Sequence, residues 1–203
     1  ACFREGEPEL EEEATRGGVE RRLLLPLIPM GKVLILGSGE DCRRLAALLD
    51  ELGFVVTVAD HRPGRLHGPG WDRARWQLVE GGWDAARAAC RPDTDTYVVV
   101  ATRSYSADGR ALRGAVASPA RYIGLVGDPF RAAKLLGELR VQGLEPRGGA
   151  FSAPAGLDVG AETSEEIALA VAAEILAVRA ERRGGRPSRA RAAGSSPSAR
   201  KGG

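Results

Sequence analysis

Two hydrophobic periods alternate along this chain. Residues 32–36 (KVLIL) form a continuous apolar run, the pattern of a strand covered on both faces. Over residues 40–52 the period changes, and Cys42, Leu45, Ala46, Leu48, Leu49 and Leu52 fall on one face of a helix. Gly53 stands where a left-handed residue closes such a helix. A second strand, 54–59 (FVVTVA), ends at Asp60. Residues 61–74 hold two prolines and three glycines and read as a loop, followed by a short strand at 75–79. A helix over 83–90 stops before Arg91-Pro92, because a residue ahead of proline is disfavoured in the helical region. The pattern then predicts strands at 96–101 and 122–126 and helices at 106–117 and 130–141. Thr163-Ser164-Glu165-Glu166 is a capping box, and Ile167, Val171, Ile175 and Val178 form one stripe on the helix it opens. No internal repeat interrupts this order. Strand and helix in alternation predict an α/β domain: an open, mostly parallel sheet with helices on both faces.

Composition narrows the class. With 203 residues and 43% apolar content, the chain has room for one domain with a sizeable core. No apolar run approaches the roughly eighteen residues of a membrane span. The first twenty residues are acidic, unlike a secretory signal, so the cytoplasm is the expected compartment. The chain opens on Ala1 rather than Met, as a fragment or a processed chain would. Cys2, Cys42 and Cys90 lie far apart with no C-x-x-C pair, and His61 and His67 are the only histidines. That argues against a zinc site or a disulfide framework and for reduced, mostly buried thiols, with both histidines solvated in a loop.

Charge divides the chain into three parts. Residues 182–203 carry +7, which leaves the remainder at −5 against a net +2. This basic segment is rich in Gly, Ser, Pro and Arg, has no aromatic residue on which a base could stack, and reads as a disordered tail without a specific nucleic-acid partner. Residues 1–25 read as an acidic segment, partly ordered or a linker, and 26–181 as the folded domain.

The chemistry concentrates at the first strand–helix turn, Gly37-Ser38-Gly39-Glu40-Asp41-Cys42. The first glycine permits a tight turn, the second lets a phosphate approach the backbone, and the helix start directs free N–H groups at an anion. Asp60, twenty-one residues after Gly39, stands where an acid accepts hydrogen bonds from ribose hydroxyls. Glu40 and Asp41 complement the helix dipole but oppose a bound pyrophosphate. Cys42 occupies the third fingerprint position, either packed against the strand or activated as a thiol of lowered pKa at a helix N-terminus. Thr102-Arg103 and Gly127-Asp128 follow later strands and converge on the same carboxyl edge. No Tyr-x-x-x-Lys dyad and no Ser-His-Asp set can be assembled, so no catalytic residue is assigned.

Five segments carry a family resemblance: VLILGSG (33–39), GFVVTVADHRP (53–63), DTYVVVATR (95–103), SPARYIGLVG (118–127) and PAGLDVGAETSEEIALAVAAEILAVR (154–179). Together they resemble the C-terminal Rossmann domain of the XdhC/CoxI family, accessory proteins of xanthine dehydrogenase and related molybdenum hydroxylases. The resemblance implies a Rossmann-like fold and a maturation chaperone rather than an enzyme. The implied ligand is the molybdenum cofactor, as molybdopterin or molybdopterin dinucleotide. Gly37, Ser38, Gly39, Asp60, Arg62, Thr102, Arg103, Gly127, Asp128 and Asp158 are the expected binding positions. The implied partners are an apo molybdenum hydroxylase, a cysteine desulfurase and a second copy of the chain, with neither a membrane nor nucleic acid among them. Glu40 and Ser104-Tyr105-Ser106 stand where the family has histidines, and Asp128-Pro129-Phe130-Arg131 where it has a more basic stretch. The family's N-terminal domain has no counterpart in these residues, which fits a half that works with a separate partner. Two other readings are an NAD(P)-binding oxidoreductase and a non-catalytic Rossmann interaction domain that has lost its ligand.

Overall fold

The computed structural model describes residues 9–15, 18–24, 30–145 and 150–182. The chain divides into two compact units, residues 1–30 and 31–203. In the first, β1 (Glu9–Thr15) pairs antiparallel with β2 (Gly18–Leu24). The register sets Glu11 opposite Arg22 and Glu12 opposite Arg21. The sequence reading assigned no strands here. The basic segment from residue 183 onward, and Cys2, lie outside the described residues.

The second unit is a parallel six-stranded sheet. Its strands are β3 (Lys32–Leu36), β4 (Val55–Asp60), β5 (Gln77–Glu80), β6 (Thr96–Val100), β7 (Tyr122–Leu125) and β8 (Ala150–Ser152). The spatial order β5-β4-β3-β6-β7-β8 is the Rossmann order, reversing direction between β3 and β6. Parallel neighbours require crossovers, and helices supply all but the one between β4 and β5, which is the loop 61–76. These are α1 (Glu40–Glu51), α2 (Trp83–Cys90), α3 (Tyr105–Val116) and α4 (Pro129–Val141), with α5 (Ser164–Arg182) closing the domain.

Both faces of the sheet are buried, which is why its central strands read as unbroken apolar runs. Leu34, Leu36, Val98, Val100, Ile123 and Leu125 pack with Ala86, Leu112, Ala115 and Leu135 of α2, α3 and α4. On the other face α1 and α5 lie together, with Cys42, Leu45, Val99 and Val171 around one small void. Leu34, Ile35, Leu49 and Leu112 have no exposed surface, and each such burial stabilises by roughly 1.5–3 kcal/mol. Gly53 closes α1 as expected. At φ 87° it lets Phe54 N–H reach Leu49 O at 3.0 Å while its own N–H reaches Asp50 O at 2.9 Å. The capping box also forms: Glu166 N–H donates to Thr163 Oγ1 at 3.2 Å, and Thr163 N–H to Glu166 Oε2 at 2.9 Å.

Two elements depart from the sequence reading. β5 lies at Gln77–Glu80, two residues later than expected, because Trp76 turns into the core at 6% exposure and ends the loop there. β8, three residues long, pairs with β7 and is too short to show any period. Among the described residues no helix is long and apolar enough to cross a membrane.

Candidate functional site

The glycine turn sits where the strand order reverses. Gly37 has φ 140°, and a Cβ there would stand 2.3 Å from Ala101 O, so no side chain fits. Its N–H donates to Ala59 O at 2.8 Å, and Ala101 N–H donates to Leu36 O at 2.8 Å, which wedges the turn between the ends of β4 and β6. Gly39 is the N-cap of α1 and has no side chain to cap it. A Cβ on Gly39 would lie 2.2 Å from Asp41 Oδ1: the space that a bare second glycine opens to a phosphate is filled by the chain's own carboxylate.

The two first-turn acids differ. Glu40 is exposed and meets Arg43 Nε at 2.9 Å and Arg44 Nε at 2.8 Å, so its charge is balanced on its own helix. The hydrogen bond from Arg43 holds its carboxyl below the ordinary range. Asp41 is buried, with Oδ2 3.2 Å from Arg103 Nη2 and Oδ1 without a hydrogen-bond partner among the described residues. Cys42 is 1% exposed with Sγ 3.8 Å from Ala101 O. Burial, and then the Asp41 carboxylate, push its thiol up to about 12. Of the two readings of Cys42, the packed one fits this geometry: burial disfavours the thiolate more than the helix start favours it.

Asp60 is already engaged. Its carboxylate is buried and takes a two-pronged bond from Arg62, Nε to Oδ1 at 2.9 Å and Nη2 to Oδ2 at 2.8 Å. Arg62 N–H adds a third bond to Oδ1 at 2.9 Å, and Arg62 Nη2 also reaches Ser38 Oγ at 3.3 Å. Burial alone would raise this carboxyl, but the bonds from Arg62 and Ser38 outweigh it and hold it at about 2. A ribose hydroxyl would have to displace Arg62 to reach it. His61 is half-buried rather than solvated, with Nδ1 3.6 Å from Asp60 Oδ1. His67 Nε2 lies 3.0 Å from Glu80 Oε1.

A cavity of about 680 Å³ opens between the starts of α1 and α4 and the segment 154–161 that leads into α5. That volume suits a small organic ligand. Of the ten expected positions Arg103, Gly127 and Asp158 line it, while Gly37, Ser38, Gly39, Asp60, Arg62, Thr102 and Asp128 do not. Thr102 instead ties down the end of β6, donating to the fully buried Asp108 Oδ1 from its N–H at 3.1 Å and from Oγ1 at 2.5 Å. Asp128 caps α4, accepting from Arg131 N–H at 2.9 Å. Arg131 pairs through Nη2 with Asp108 Oδ2. Asp41 and Arg131 line the cleft too, and the sequence reading gave neither of them a binding role. Among the described residues no three His, Cys, Asp or Glu side chains are grouped to hold a metal ion.

Comparison with known proteins places this geometry in context. A family profile described as the XdhC Rossmann domain matches residues 33–175. The Escherichia coli K12 protein YqeB is 31% identical over 155 residues, 76% of this chain and 28% of that protein. A Bacillus subtilis 168 protein, named as a probable xanthine dehydrogenase component, is 32% identical over 151 residues, 74% of this chain and 44% of that protein. A solved xanthine dehydrogenase from Bacillus halodurans superposes with a TM-score of 0.65 at 23% identity, over 82% of this chain and 48% of that one, which shows a shared fold. The chain thus spans less than half the length of each of these relatives.

Proposed function

The chain belongs to the XdhC family, through that family's Rossmann domain, and from this premise we propose that it binds the molybdenum cofactor as an accessory protein of a xanthine dehydrogenase-type hydroxylase. The observation that carries this reading is the cleft beside α1 and α4, whose wall combines the buried Asp41 carboxylate with two cations, Arg103 and Arg131. Asp41 Oδ1 is an acceptor without a hydrogen-bond partner among the described residues, and Arg103 and Arg131 bring guanidinium donors to the same lining. Buried polar groups in folded proteins are nearly always satisfied, so an unpaired carboxylate oxygen beside two cations on a cavity wall fits a ligand that brings both an N–H donor and an anion. Molybdopterin and its dinucleotide form do so, with an anionic phosphate at one end and ring N–H donors at the other. The cofactor supplies the redox-active molybdenum centre to the hydroxylase. In this reading Arg131 and Arg103 hold the phosphate, and Gly127 and Gly156 keep the walls close to the ligand. The segment 154–161 shields it from water, and the apo-hydroxylase receives it.

The dinucleotide-enzyme reading is less well supported. Asp60 is committed to Arg62, and Asp41 stands over Gly39, so both contacts of an NAD(P) pose meet an obstacle. The test is a fluorescence titration of the purified chain with molybdenum cofactor, with NAD and NADP as competitors at one salt concentration. Saturable cofactor binding that neither nucleotide displaces is expected. Binding of NAD or NADP alone would replace this reading with the oxidoreductase one, and binding of none of the three would leave the interaction-domain reading.

A further inference from the structure

Asp41 is 4% exposed, and its Oδ1 has no hydrogen-bond partner among the described residues. A buried carboxylate oxygen without a donor is costly. Oδ1 lies 2.2 Å from the point where a Gly39 Cβ would stand, and Arg103 Nε lies 3.5 Å from the same point, so acid and guanidinium meet over the second glycine. Arg103 Nη2 is 3.2 Å from Oδ2, and the Arg103 side chain is 65% exposed. A ligand that reaches the carboxylate must therefore draw Arg103 aside, and an anionic group on that ligand would give Arg103 a new partner. Across the cleft, at the start of α4, the group is of the opposite kind, the Arg131 guanidinium, which pairs with Asp108 behind it. The cavity therefore has the Asp41 acceptor, covered by Arg103, at its α1 wall and the Arg131 donor at its α4 wall.

A phosphate is the wrong occupant for the α1 wall, since it would meet the Asp41 carboxylate at close range. What suits a carboxylate there is a pair of parallel N–H donors, as in the two-pronged bond between a guanidinium and a carboxylate. We propose that Asp41 is a specificity-determining residue that accepts the paired N–H donors of a 2-amino-4-oxopyrimidine edge, while Arg103 and Arg131 take the ligand's anionic end. That edge is common to a pterin and a guanine. This inference rests on the cofactor-binding reading above and adds to it the orientation of the ligand and the residue that selects it.

The test compares two fluorescent probes that differ only at this edge. Pterin-6-carboxylate carries the 2-amino donor, and lumazine-6-carboxylate has an oxygen there. The intact chain is expected to bind the pterin at least tenfold more tightly, because a site built to hydrogen-bond an N–H group rejects an analogue that lacks it. Asp41→Asn keeps the shape but replaces one acceptor by a donor, and the preference should fall below about twofold or reverse. An unchanged melting temperature for Asp41→Asn excludes misfolding. A titration with guanosine 5′-monophosphate then identifies the source of the edge: tighter guanosine binding assigns it to the guanine end of a dinucleotide form, tighter pterin binding to the pterin, and either supports the proposal. Equal binding of the two probes by the intact chain, or a preference retained in Asp41→Asn, overturns the inference and leaves the cofactor-binding reading standing. If neither probe binds while molybdenum cofactor does, the edge is not what the cleft reads and the inference alone falls. If the cofactor fails to bind as well, both fall.

Discussion

Asp60 and Arg62 show how much the meaning of a residue depends on its neighbour two positions away. An acid at the end of the second strand is the residue expected to meet a ribose, and here Arg62 closes on it with three bonds. The pair sets a stability prediction whose sign follows from the carboxyl. Its folded value, about 2, lies below the ordinary 3.8. Its contribution is therefore fully present above pH 4 and is lost as pH falls towards 2. Arg62→Ala leaves the buried carboxylate uncompensated and should cost on the order of 2 kcal/mol at pH 7. The cost should shrink below pH 4 as Asp60 takes a proton. Urea unfolding of both proteins between pH 3 and pH 7 measures this. A pH-independent difference would show that Arg62 acts through packing instead. Cys42 makes the same point: its place in the glycine turn left packing and reactivity both open, and the 3.8 Å contact with Ala101 O and its burial favour packing.

At the scale of elements, legibility in the sequence tracked length and double-sided burial. β3, β4 and β6 were readable because a strand covered on both faces must be apolar throughout, and α1 because its buried stripe ends at a glycine that closes it. The N-terminal hairpin was not readable, since ELEEEAT and GVERRLL hold too few apolar positions to show a period of two. β8 is held by partners rather than by pattern. Ser152 Oγ and Tyr122 Oη both donate to Glu174 of α5, at 2.8 Å and 2.7 Å, a convergence no local window contains. The capping box of α5 was legible because its signal lies within four residues. Thr163→Ala removes the oxygen that receives Glu166 N–H and should lower stability by about 1 kcal/mol in urea unfolding. An effect below a few tenths would mean that the first turn of α5 is secured by its packing on α1 rather than by its cap.

For the whole molecule, the sheet puts its chemistry at the strand reversal, and there the sequence led only part of the way. The turn was located correctly because a strand, a tight glycine and a helix start are contiguous in the chain. The cleft was not, because its outer wall is the segment 154–161, which returns to the domain more than a hundred residues after the turn. As a result Arg103, Gly127 and Asp158 share the cavity with Asp41 and Arg131, while Asp60 and Arg62 form a closed pair outside its lining. The central claim is that this cleft holds the cofactor. Amide hydrogen exchange at saturating molybdenum cofactor tests it most directly. The account predicts slowed exchange at residues 126–131 and 155–161 with residues 60–66 unchanged. Protection confined to residues 37–41 and 60–66, with the 155–161 segment unaffected, would place the ligand in the ordinary dinucleotide pose and contradict the account.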